Sequence, residues 1–102
     1  MQISSVTVSD VPDPQAEGVL VLDVREDHEW AAGHIDGARH IPLGDLPSRV
    51  AELDPQTPTY VVCHLGGRSA RATQWLAQQG YDVTNVEGGM DAWETAGRPV
   101  TR

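Results

Sequence analysis

A chain of 102 residues with 15 acidic and 7 basic side chains carries a formal charge of −8, and every basic residue is arginine. That balance excludes a nucleic-acid binder, which needs a basic face, and the lack of lysine excludes a lysine Schiff base. One cysteine cannot close an internal disulfide, so the fold has to rest on a single core, which a chain of this length can bury.

No apolar segment approaches the roughly 20 residues of a membrane span. The first ten residues hold no basic stretch followed by an apolar run, so no signal peptide is expected. The reading is one domain over residues 1–102, soluble and cytoplasmic, with no membrane and no nucleic acid as partner.

Along the chain, apolar runs alternate with helical patterns. The first ten residues are read as an edge strand. V-L-V-L-D-V, 19–24, is almost continuously aliphatic, as a strand covered on both faces would be. Glu26 to Ala32 reads as a short polar-rich helix stopped by Gly33. A-R-H-I, 38–41, is a short strand ended by Pro42. Asp45 opens an amphipathic stretch with Leu46, Val50 and Leu53 on one side, closed by Asp54-Pro55. T-Y-V-V-C, 59–63, is a second buried strand. The clearest helix covers 69–79, where Ala72, Trp75, Leu76 and Gln79 recur at i, i+3, i+4 and i+7 before Gly80. D-V-T-N-V, 82–86, is another strand; Gly88-Gly89 then turns into a last helix, 90–96, closed by Gly97, and R-P-V-T-R is read as loop. This alternation predicts an α/β domain with a central, mostly parallel sheet. Ligands of such sheets sit beyond the carboxyl ends of the strands, and Cys63 lies at such an end.

The stretch Y-V-V-C-H-L-G-G-R-S-A-R-A-T, 60–73, concentrates the chemistry. A strand, a short glycine-containing loop and a helix start can point successive backbone N–H groups into one anion-binding concavity. The helix N-terminus adds about half a positive charge. Gly66 and Gly67 permit the positive φ that a tight ring needs. Arg68 adds a permanent positive charge, and Ser69 is placed to cap the helix and donate to an anion. All of this favours thiolate over thiol, since cysteine pKa values fall from about 8.5 to roughly 3.5–7.5 in such settings. The competing reading is an inert thiol closing a buried strand.

V-V-C-H-L-G-G-R-S resembles the active-site loop of rhodanese-homology domains, the thiosulfate sulfurtransferases and their relatives. L-D-V-R-E (22–26), G-H-I-D-G-A-R-H-I-P (33–42) and V-E-G-G-M-D-A-W (86–93), with Gly97-Arg98-Pro99-Val100 after it, resemble the family's other signatures in the same order. The resemblance implies a single rhodanese-like domain, a sheet of about five strands flanked by helices on both faces. It implies that Cys63 is the nucleophile and that His64, Leu65, Gly66, Gly67, Arg68 and Ser69 form the persulfide-binding loop. The donor would be thiosulfate or a low-molecular-weight persulfide. The acceptor would be cyanide, a thiol or a protein sulfur acceptor. No cofactor and no metal are implied. The alternative within the family is a slow persulfide carrier or protein-binding module.

Cysteine phosphatases use a similar cradle, with His-Cys, five residues and then Arg. Here Val62 holds the histidine position, and only four residues, His64 to Gly67, separate Cys63 from Arg68. The smaller ring suits one sulfur atom better than a phosphate or arsenate. Thiosulfate-preferring relatives often carry basic residues just after the cysteine, where this chain has His64 and Leu65. That leaves Arg68, with Arg25 or Arg71, to attract a dianion, so slow thiosulfate turnover is expected.

Cleft support is assigned to Asp23, Arg25 and Trp30. Asp23 and Arg25 are expected to make a strand-end ion pair, with Asp23 holding backbone or Arg68 as the alternative, and Trp30 is expected to wall the cleft. His34 and His40 are expected to fix the Asp36-Gly37 turn and His28 to face solvent. His64 adjoins the nucleophile. Trp75 and Trp93 read as core, and Met90 as lining the active-site end.

Overall fold

The computed structural model describes residues 3–102. Five parallel strands form one sheet: β1 (Ser5–Val6), β2 (Leu20–Asp23), β3 (Arg39–His40), β4 (Thr59–Val62) and β5 (Val83–Val86), in the order β1-β5-β4-β2-β3. The register sets Asp23 beside both Val62 and His40, so the carboxyl ends of the three strands β4, β2 and β3 are level. The next residue after β4 is Cys63. Met1 and Gln2, part of the expected edge strand, lie outside the described residues.

Side chains alternate between the two faces of each strand. On one face Leu22, Val24, Val61, Cys63 and Val83 pack with Leu46 of α2 (Leu46–Arg49) and with Ala72 and Leu76 of a longer helix, Gly67–Gln78. On the other face Val21, Val62 and Val86 pack with Val8, Val11, Ile35 and with Met90 and Trp93 of Gly89–Thr95. These two helices are α3 and α4; α1 is Asp27–Ala32. Coverage on both faces is why the strands read as unbroken aliphatic runs. Each large apolar side chain so buried contributes roughly 1.5–3 kcal/mol. Among the described residues no helix is long and apolar enough to cross a membrane.

The structure departs from the sequence reading in four places. First, α3 begins at Gly67 rather than residue 69, because Gly66 takes φ +112° and turns the chain straight into the helix. Gln79, expected on its inner face, is exposed at its C-cap, and Trp75 is only half-buried beside the core. Second, the stretch from Asp45 to Leu53 forms no continuous helix. It divides into a 3₁₀ turn (Leu43–Asp45), the four residues of α2 and another 3₁₀ turn (Val50–Glu52). Pro47 is tolerated in the first turn of α2, while Pro55 closes the path just beyond Leu53. Third, the C-terminal tail is a loop as expected, but an isolated bridge at Thr101 ties it down. Thr101 and His34 exchange two backbone hydrogen bonds of 2.8 and 2.7 Å, and Arg98 Nη1 donates to the carbonyls of Val8 and Val11. Fourth, His34 and His40 do not bond within the Asp36-Gly37 turn: His34 Nδ1 contacts Trp30 O and His40 Nε2 contacts Arg25 O.

Candidate active site

Cys63 leaves the end of the central strand β4 with 1% of its surface exposed. Its backbone is held from below by the first turn of α4. Met90 N–H donates to Cys63 O at 2.7 Å and Asp91 N–H to His64 O at 3.0 Å. That approach requires Gly89, whose φ is +52° and where any Cβ would fall on Cys63 O. Gly66 packs against the same turn, its missing Cβ 3.3 Å from Gly88 N.

The sulfur sits inside a short ring of donors. Gly66 N–H points at Cys63 Sγ from 3.1 Å, and Ser69 Oγ lies 3.3 Å from it. Ser69 does not cap α3, since the N-cap is Gly66 with no side-chain cap bond; its hydroxyl instead lies 2.6 Å from Asn85 Oδ1 on β5. Burial pushes the Cys63 thiol up. Hydrogen bonds from the Ser69 side chain and the amides of Ser69, Gly66 and Leu65 outweigh burial and bring it below its ordinary value. The ring thus favours the charged, nucleophilic form of a group that is almost fully buried.

Asp23 and Arg25 form the expected strand-end ion pair. Asp23 accepts from Arg25 N–H at 2.9 Å and from Arg25 Nη2 at 2.8 Å, and Arg25 Nη2 also reaches Gly33 O. Asp23 therefore fixes the turn after β2 and does not hold Arg68. Arg68 is held by Glu29 of α1, Nη1 to Oε1 at 2.6 Å and Nη2 to Oε2 at 2.8 Å. That hydrogen bond, working against burial, holds the Glu29 carboxyl down at about 2, and raises Arg68 further. Trp30 stacks on His34 (centroids 3.7 Å apart) and on His40 (4.8 Å), so its contacts are with the two imidazoles behind α1. His64 and Leu65 are exposed, Leu65 to 65%. A cavity of about 380 Å³ lies elsewhere, lined by Asp13, Ile35, Asp36, Trp93 and Arg98 among others, and includes no residue of the 63–69 loop.

Two residues of this constellation escaped the sequence reading. Asn85 had a legible signal, because an asparagine inside a short buried strand is out of place unless it has a partner. Glu29 reads locally as the distal half of a capping box with Glu26, which it also forms. Its second partner lies 39 positions away.

The chain is similar to known proteins over most of its length. The thiosulfate sulfurtransferase GlpE of Pseudomonas putida strain F1 is 41% identical over 78 residues, 76% of this chain and 71% of its own. The protein YtwF of Bacillus subtilis strain 168 is 42% identical over 83 residues, 81% of each chain. The crystal structure of a rhodanese-related protein from Thermoplasma volcanium superposes with a TM-score of 0.89 at 34% identity, covering 96% of this chain and 97% of that one. The Rhodanese-like domain family matches residues 7–96, nearly the whole of the parallel sheet and its cysteine loop, and the chain belongs to that family.

Proposed function

We propose that this chain is a sulfurtransferase in which Cys63 accepts one sulfane sulfur and passes it on. The carrying observation is the Cys63 sulfur itself, buried at a strand end with Gly66 N–H at 3.1 Å and Ser69 Oγ at 3.3 Å. The family membership and the likeness to a thiosulfate sulfurtransferase support the reading.

In the first half-reaction the Cys63 thiolate attacks the outer sulfur of the donor. With thiosulfate, the Sγ–S bond forms as the donor S–S bond breaks, and sulfite leaves with the electron pair. The terminal sulfur carries the negative charge and rests in the amide ring of His64, Leu65, Gly66, Gly67 and Arg68, as in other nests of backbone donors. In the second half-reaction an acceptor thiolate or cyanide attacks that sulfur, and Cys63 leaves as thiolate. A low-lying thiol serves both steps, as nucleophile in one and leaving group in the other. In this scheme residues 64–68 hold the transferred sulfur through backbone, while Ser69 holds Cys63 Sγ. A free thiol of this kind persists in a reducing compartment, which is where we place the protein, in the cytoplasm.

Intact mass spectrometry after thiosulfate treatment should show one added sulfur atom, removed by cyanide as thiocyanate. Cys63→Ser should show neither. Equal thiocyanate production by both proteins would sink the reading.

A further inference from the structure

Arg68 belongs to the cysteine loop and Arg25 follows the neighbouring strand β2, and both are already engaged. Arg25 is 6% exposed and lies against Asp23. Arg68 closes the ring, yet turns both terminal nitrogens onto Glu29, at 2.6 and 2.8 Å. Glu29 is ionised at any working pH, and Glu26 adds a second negative charge within range of Arg68. Arg71 is exposed and unpaired among the described residues, and it sits in the second turn of α3, three positions past Arg68. The loop's own side chains, His64 and Leu65, carry no permanent charge. Leu65 is the one large apolar side chain among the described residues that is strongly exposed, and it stands two residues from the nucleophile.

Resting on the sulfur-transfer reading above, we propose that the site takes its sulfur from the persulfide of an organic thiol in preference to thiosulfate, and that Glu29 sets this preference by occupying the guanidinium of Arg68. Thiosulfate arrives with two negative charges and a sulfonate that wants a bidentate fork. Here the fork is filled, and Glu29 and Glu26 set two carboxylates beside it on a chain of net charge −8. A thiol-borne persulfide has no sulfonate to seat and brings a carbon stem for Leu65 to contact. Chemically the step is balanced without help. The Cys63 thiolate attacks the outer sulfur of R–S–SH, the Sγ–S bond forms, the donor S–S bond breaks and RS⁻ leaves. The proton stays on the transferred sulfur. Glu29 is a positioning residue in this scheme, since it acts through Arg68 and touches neither sulfur.

The test follows loading of Cys63 by intact mass in single-turnover reactions with two probes, thiosulfate and the persulfide of 2-mercaptoethanol. Wild type should load about tenfold faster from the persulfide, and Glu29→Gln should raise the thiosulfate-to-persulfide rate ratio at least about threefold. Added salt, by screening repulsion, should speed thiosulfate loading of the wild type. Equal or faster loading of wild type from thiosulfate overturns the proposal. So does a Glu29→Gln protein that slows both donors alike, which would make the pair a structural tie alone. If that variant folds poorly, the wild-type salt series decides, because a thiosulfate rate that falls with salt overturns the proposal. Failure to load from either donor would overturn the sulfur-transfer reading itself, and this inference with it.

Discussion

A thiol with 1% exposure should titrate above an ordinary cysteine, and Cys63 does the opposite. After burial, the largest influence on it is the Ser69 side chain. The hydroxyl has one proton and three neighbours: Cys63 Sγ at 3.3 Å, Gly66 O at 3.1 Å and Asn85 Oδ1 at 2.6 Å. While Cys63 is protonated, its S–H donates to Ser69 Oγ and the hydroxyl donates onward to Asn85. Once Cys63 ionises, the sulfur becomes an acceptor for that hydroxyl. Because the folded thiol lies below its usual value, the loading rate should rise with pH and level off before an ordinary cysteine would. Ser69→Ala removes a hydrogen bond to a charged group, so its midpoint should move upward and its rate at pH 7 should fall about tenfold. Alkylation of Cys63 by iodoacetamide across pH measures this directly, and an unmoved midpoint would refute the role given to Ser69. The residues legible from sequence, Cys63, Gly66 and Arg68, all act within a few positions of one another. Glu29 was not legible as a site residue because its partner arrives through the fold, 39 positions away; Asn85 is conspicuous in a buried strand, but nothing local names its partner 16 positions away.

At the scale of elements, the turn between β5 and α4 is as much a part of the site as the loop it supports. The glycines at the two ends of α4 exist for two different reasons, and substitution separates them. Gly97 has φ +77° and open space around its absent Cβ, so Gly97→Ala should cost only the left-handed penalty of about 1–2 kcal/mol. Gly89 has φ +52° and sits against the carbonyls of Cys63 and His64. Gly89→Ala should therefore add a backbone clash and cost 3 kcal/mol or more, on the order of the largest single-residue effects. Urea midpoints give both values, and persulfide loading should survive in the Gly97 variant and fail in the Gly89 variant. Equal costs would show that Gly89 is kept for its φ alone. The elements were largely visible in the hydrophobic pattern, with the five strands and helices α1, α3 and α4 falling near their expected positions. The misread parts were those where local propensity yields to geometry. A helix start moved two residues because one glycine went left-handed, and the amphipathic stretch from Asp45 to Leu53 broke into 3₁₀ turns on either side of the four residues of α2.

For the whole molecule, the sheet has a mechanical consequence. Its two apolar clusters lie on opposite faces, yet the same strands supply both: Leu22 and Val61 to one, Val21 and Val62 to the other. Neither cluster can loosen without losing the strands that the other packs on. The C-terminal tail adds a further tie, since Arg98 holds the Val8 and Val11 carbonyls and stacks 4.0 Å above the centre of Trp93. We therefore expect the chain to unfold as one domain in a single cooperative transition. Trp93 reports from within one cluster and Trp75 from the edge of the other, so tryptophan fluorescence samples both faces while far-UV circular dichroism samples the backbone. The curves should coincide in urea. Val61→Ala and Val62→Ala, which thin opposite faces at adjacent positions, should each lower the midpoint by roughly 1–3 kcal/mol and move both signals together. If Val61→Ala shifted one signal ahead of the other, the two faces would be separate folding units, and the cysteine loop, which hangs from the strand they share, would rest on only one of them.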